Sequence, residues 1–157
     1  MEVVGVRVEM PSNQPIVLLK EINGTRFLLI WVGTGEATAI AFAQQGLEPP
    51  RPLTHDLMRD LLDLLDVSLT AVHVTDVVDG VFQAVLHLKN EASLALTLDA
   101  RPSDAIALAL RTHSDILASA DLLNKAGIEM PAGDGDNQEV EKFREFLDQI
   151  NPEDFIG

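Results

Sequence analysis

The chain has 157 residues, 46% of them apolar, which suits one domain with a real hydrophobic core and excludes a disordered chain. It carries 25 Asp and Glu against 11 Lys and Arg, a formal net charge of −14, so affinity for a polyanion cannot come from an overall basic surface. No cysteine is present, which excludes disulfides and thiolate chemistry and points to the cytoplasm, and no apolar run is long enough to span a bilayer.

The N-terminal MEVVGVRVEM alternates as a strand and lacks the basic start and cleavage site of a signal peptide. PSNQP breaks it. IVLLKE and RFLLIWVG then flank the hairpin signal Asn23-Gly24. Glu36 opens a helix, EATAIAFAQQ, closed by Gly46. After the rigid loop LEPPRP, a second helix starts near Pro52 or Thr54, with Leu57, Leu61, Leu64 and Leu65 on one stripe. SLTAVHVTDVV and VFQAVLHLK form a hairpin around Asp79-Gly80, and SLALTLDA is a further strand. PSDAIALALRT is a helix apolar on nearly every side, expected to be buried, and SADLLNKAG is a short helix ended by Gly127. PAGDGDNQ reads as a linker, because DGDN lacks the spacing of a calcium loop. EVEKFREFLDQI follows as an amphipathic helix with Val140, Phe143, Leu147 and Ile150 on one stripe.

These elements predict an α+β fold of mixed or antiparallel sheets with packed helices. Aligning Glu36 with Asp104 also matches Val4 with Val72, Val17 with Val85 and Ala37 with Ala105, which suggests a duplicated ββ-β-α-α unit.

Three polar constellations sit at helix starts. In DARPSD, Pro102 suits the first helical position, Ser103 and Asp104 can satisfy free N–H groups, and Arg101 can pair with Asp99. The cap needs neither Asp99 nor Arg101, however, and a strand end meeting a helix start is a favoured place for ligands. RPLTHD repeats the shape with Arg51, Thr54, His55 and Asp56, where His55 is a candidate general base or metal ligand. Glu36 follows VGTG, whose glycines allow close approach to the backbone. A two-residue turn at Asp79-Gly80 sets His73 opposite Leu86 and His87 opposite Val72, on opposite sheet faces, so these two histidines should not share a metal. His113, at a helix end, is read as serving the dipole.

Taken together, WVGTGEATAIAFA, RPLTHDLMRDLLDLL and LDARPSDAIALALR resemble the signature blocks of the bifunctional nuclease family. The resemblance covers residues 1–130 as one domain, with 131–157 as a linker plus C-terminal amphipathic helix similar to the extension of actinobacterial members. It implies DNase and RNase activity on nucleic acid and a homodimer or higher homo-oligomer. Carried onto this sequence, the family's polar signature falls on Glu36, Arg51, Thr54, His55, Asp56, Asp99, Arg101, Ser103 and Asp104. For a nuclease, the acids Glu36, Asp56, Asp99 and Asp104 and the base His55 would do the chemistry, with Mg2+ or Mn2+ held by carboxylates. Arg51 and Arg101, with Thr54 and Ser103 beside them, would hold phosphate. The competing reading is a non-enzymatic interaction or regulatory domain whose Arg-Pro junctions are ion-paired caps and whose partner contacts are Phe143, Phe146, Leu147 and Phe155.

Overall fold

The computed structural model describes residues 1–9 and 12–129. The linker and amphipathic helix expected at 131–157 lie outside the described residues. Strands β1 (Glu2–Glu9), β2 (Gln14–Lys20) and β3 (Arg26–Trp31) form an antiparallel meander. Helices α1 (Thr34–Gln44) and α2 (Thr54–Leu64) follow. A second meander consists of β4 (Val67–Val78), β5 (Val81–Asn90) and β6 (Ala95–Ala100). After it come α3 (Pro102–Thr112), β7 (Asp115–Ala118), α4 (Ala120–Ala126) and the short β8 (Ile128–Glu129). The sheets run in the orders β1-β2-β3-β8 and β6-β5-β4-β7, with only the β4–β7 pair parallel, so the fold is α+β. No helix among the described residues is long and apolar enough to cross a membrane.

The local causes are those the residues suggest. Asp79 and Gly80 both take positive φ, 50° and 75°, the conformation a two-residue hairpin turn requires. Gly46 ends α1 with φ 63°. Helix α3 supplies the centre of the core: Ala105 to Ala109 are all at most 1% exposed and pack with Val17, Ile40, Val72, Val74 and Leu86. The alanines let α1 and α2 approach α3 closely, so both pack directly on it.

One expectation changes, on the faces of His73 and His87, and the structure bears on two others. The leucine stripe of α2 exists but faces solvent: Leu57, Leu61, Leu64 and Leu65 are 59%, 52%, 78% and 60% exposed, while Met58, Leu62 and His55 turn inward. The β4–β5 register shifts between Val74 and Asp76, and again between Leu69 and Ala71. Each bulge slips one residue, so His73 pairs with Val85 and His87 with Ala71. The two histidines therefore share a face, with ring centroids 6.1 Å apart. Finally, both halves contain a three-stranded meander followed by a helix, and α1 and α3 are each 11 residues long. The fourth strands nevertheless join differently, β8 beside β3 and β7 beside β4, and the duplication stays unconfirmed.

Candidate active site

Helix α3 begins with Arg101 as its N-cap residue and Pro102 in the first turn. The φ of proline suits that position, and its missing N–H costs nothing there. No side chain caps this helix: Ser103 is buried, at 7% exposure, and the Asp104 carboxylate is engaged elsewhere. Arg101 donates from Nε to Asp104 Oδ2 (2.6 Å) and from Nη2 to Asp104 Oδ1 (3.0 Å). The same Nη2 lies 2.9 Å from Glu36 Oε1. His55 Nε2 lies 3.0 Å from Asp104 Oδ1. The first turns of α1, α2 and α3 thus meet through one arginine and one aspartate. Their positive dipole ends favour the two carboxylates gathered there.

The cluster is half open. The Arg101 side chain is 66% exposed, and Asp104 and Glu36 are 24% and 23% exposed. Two of the three guanidinium nitrogens are used, and Nη1 has no bond among the described residues. His55 is buried, at 7% exposure, and with Nε2 on Asp104 its Nδ1 has no bond among the described residues. That nitrogen is not sealed off, since no buried side-chain nitrogen or oxygen among the described residues lacks a partner. Burial works against the charge of Asp104. The hydrogen bonds from Arg101 and His55, with the positive charge of Arg101, outweigh it and hold this carboxyl below its ordinary value. Gly33, the N-cap residue of α1, lies beneath Glu36: a methyl group there would collide with the carboxylate, whereas Gly35 has open space.

Asp56, next to His55, belongs to a different contact. Arg111 at the end of α3 donates from Nε to Asp56 Oδ1 at 2.5 Å, and from Nη1 to the carbonyls of Ala39 (3.1 Å) and Ala107 (2.9 Å). The other oxygen of Asp56 accepts the Leu53 N–H at 2.8 Å and caps α2. Arg111 and Asp56 are 5% and 13% exposed, so the pair clamps all three helices from within. Burial again opposes the charge, but the bonds from Arg111 and Leu53 keep the Asp56 carboxyl low. A cleft of about 340 Å3 opens beside this clamp, lined by Pro52, Arg59, Leu110 and His113 among others.

Of the expected site residues, the structure therefore brings together Glu36, His55, Arg101 and Asp104. Asp99 does not join them. It is exposed on β6, opposite Val85, and has no hydrogen bond or ion pair among the described residues. Arg101 pairs with Asp104 and Glu36 instead, because alternation along β6 turns Asp99 to the sheet face away from Leu98 and Leu86. Arg51 and Thr54 are exposed without bonded partners among the described residues. Arg111 is the buried cation that the motifs did not single out, and it serves the clamp rather than the cluster around Arg101. A lone cation in the last turn of an almost wholly apolar helix needs a buried anion, and that was the available signal.

The residues do not present a ready metal site. Glu36 and Asp104 both spend oxygens on Arg101, and among the described residues no three His, Asp or Glu side chains are grouped to hold a metal ion.

Comparison with known proteins now adds to this geometry. Residues 17–131 match the bifunctional nuclease domain. An uncharacterized protein of Mycobacterium tuberculosis is 47% identical over 162 residues, covering 99% of this chain and 96% of the relative. Bifunctional nuclease 1 of Arabidopsis thaliana is 28% identical over 137 residues, 79% of this chain and 42% of the plant protein. Bifunctional nuclease 2 of the same plant is 28% identical over 141 residues, 80% of this chain and 43% of its own length. The chain belongs to the bifunctional nuclease domain family.

Proposed function

We propose that this member of the family hydrolyses phosphodiester bonds of DNA or RNA at the meeting point of its three helix starts. One observation carries the reading: Glu36 and His55, both distant in sequence from Arg101 and Asp104, converge on that pair, so that an exposed arginine bridges a glutamate and an aspartate and the aspartate contacts a histidine. The open Nη1 edge of Arg101 offers two N–H donors to a phosphate oxygen. Glu36 holds that guanidinium from the other side.

The Asp104–His55 contact supplies the proton chemistry. With Nε2–H donated to Asp104, Nδ1 is the acceptor of the neutral imidazole. It takes a proton as a water oxygen bonds to phosphorus, and Asp104 stabilises the imidazolium that forms. The bond from phosphorus to the leaving sugar oxygen breaks, and the proton passes from Nδ1 to that oxygen. No step in this scheme is routed through a metal. Mg2+ or Mn2+ is supplied in the assay because the incoming polyanion needs countercharge at a chain of net charge −14.

End-labelled single-stranded DNA and RNA test the reading, with Mg2+, with Mn2+ and with chelator. Wild type should cleave, Arg101→Ala and Asp104→Asn should lose cleavage, and Asp99→Asn should retain it. Cleavage that persists in both of the first two variants overturns the assignment. The reading as an interaction domain is favoured by a different observation, the exposed leucines of α2. It predicts no cleavage by wild type under any of these conditions.

A further inference from the structure

The cleft beside the clamp takes no part in the hydrolysis scheme, and it contains a buried arginine with one open edge. Arg111 spends Nε on Asp56 and Nη1 on the carbonyls of Ala39 and Ala107, while Nη2 has no bond among the described residues. The side chain is only 5% exposed, yet no buried side-chain nitrogen or oxygen among the described residues lacks a partner, so Nη2 must meet open space. Arg111 lines the cleft, and the cleft is that space. Arg59 brings a second open edge. Its Nε and Nη2 both bond Asp60 Oδ1, which leaves Nη1.

The lining narrows the occupant. Both oxygens of Asp56 are taken, by Arg111 and by the Leu53 N–H. Asp60 keeps Oδ2 and Glu48 keeps its carboxylate, without bonds among the described residues. The ends of α1 and α3 border the cleft at Gly46 and His113, and helix ends carry partial negative charge. Three carboxylates and two helix ends set against two guanidiniums disfavour an anion. Leu47, Pro49, Pro52 and Leu110 supply apolar wall. At about 340 Å3 the cleft lies at the small end of ligand sites, which run from about 300 to 1,000 Å3. A small, neutral, flat ring system fits, with acceptors on one edge for the arginines and donors on another for the carboxylates. Guanine is the nucleobase of that description. Its N7 and O6 are both acceptors, whereas adenine sets an N–H donor pair beside N7. The N1–H and N2–H2 of guanine supply the donor edge.

We propose that this cleft binds a guanine base of the strand being cut, and so gives cleavage a base preference; this rests on the hydrolysis proposed for the helix starts. The position agrees. Arg111 stands two turns beyond Asp104 in α3, about 10 Å along the helix. Asp56, at the cleft, adjoins His55, at the cluster. A neighbouring nucleotide bridges that distance from phosphate to base. Arg51, exposed and without a bonded partner among the described residues, stands in the loop just before Pro52, where it meets the intervening phosphate.

Methyl-labelled full chain, titrated with guanosine 5′-monophosphate without metal, should show resonance shifts at Leu47 and Leu110. Adenosine 5′-monophosphate and inorganic phosphate should leave both in place. End-labelled single strands of mixed sequence should be cut about tenfold faster beside guanine, the discrimination that one bidentate contact gives. Leu47 is 52% exposed at the cleft, so Leu47→Trp fills the cleft without disturbing the core. That variant and Arg59→Ala should each abolish the shift at Leu110 and erase the preference, with circular dichroism unchanged. The titration decides the site even if no strand is cut. Cleavage without base preference overturns the cleft assignment and leaves the hydrolysis reading in place. Equal shifts with adenosine 5′-monophosphate or with phosphate alone, no shift with guanosine 5′-monophosphate, or a preference that survives both variants also overturns the proposal.

Discussion

Replacing Asp56 by Asn separates the clamp from the candidate catalytic centre one residue away. The change keeps the shape and leaves an oxygen for the Leu53 N–H, but it removes the only carboxylate bonded to Arg111 among the described residues. Arg111 is 5% exposed and would keep two backbone carbonyls and no anion. Breaking a buried pair from one side costs about 3–5 kcal/mol, and the two carbonyls argue for the lower end, about 3 kcal/mol. For a domain of this size that lowers the melting temperature by about 6–12 °C. Urea and thermal unfolding measure it directly, with the exposed Asp99→Asn as a control expected within about 0.5 kcal/mol of wild type. Replacing the pair together, Asp56→Leu with Arg111→Met, should recover most of the loss, because no charge is then left unpaired. If Asp56→Asn unfolds like the control, the clamp contributes nothing and the argument is wrong. At a temperature where it is folded, Asp56→Asn should still cleave, whereas His55→Ala should not.

The pH dependence has a defined sign. The carboxyls of Asp56 and Asp104 are both held below their ordinary value, so the stability they contribute is fully present above about pH 4 and is lost as pH falls through their lowered values. Acid titration of unfolding free energy should show this loss, and Asp56→Asn and Asp104→Asn should each flatten it; an unchanged slope in both would refute the assignment. Gly33→Ala should displace Glu36 from Arg101 and lower cleavage several-fold, while Gly35→Ala, which has open space, should not, a comparison read from initial rates. Arg101→Lys keeps the charge and loses the fork, so it should raise KM for the oligonucleotide about tenfold or more and leave the melting temperature nearly unchanged, the side chain being 66% exposed.

Much of the fold was legible because it is locally encoded. Asn23-Gly24 and Asp79-Gly80 mark their hairpins, and Pro102 and Gly46 mark a helix start and a helix end. The faces were harder. Alternation assigns His73 and His87 to opposite faces only while the register is unbroken, and a bulge near Thr75 leaves no mark in residue type. The stripe of α2 shows the same limit from another side. Periodicity reports that Leu57, Leu61 and Leu64 share a face, but which face meets the core depends on where α3 lies.

The site was legible in its members and not in its pairing. Asp104, His55 and Glu36 stand in first turns and Arg101 is an N-cap residue, and the motifs marked each of them. That Arg101 would choose Asp104 and Glu36 over Asp99 follows from strand alternation: Asp99 points to one side of β6, and α3 starts on the other. The same geometry divides His55 from Asp56. Successive helical residues point about 100° apart, so one reaches Asp104 at the start of α3 and the other reaches Arg111 at its end. A single helical turn therefore holds a residue of the candidate site beside a residue of the buried clamp. Measuring cleavage and unfolding on the same pair of variants tells the two roles apart.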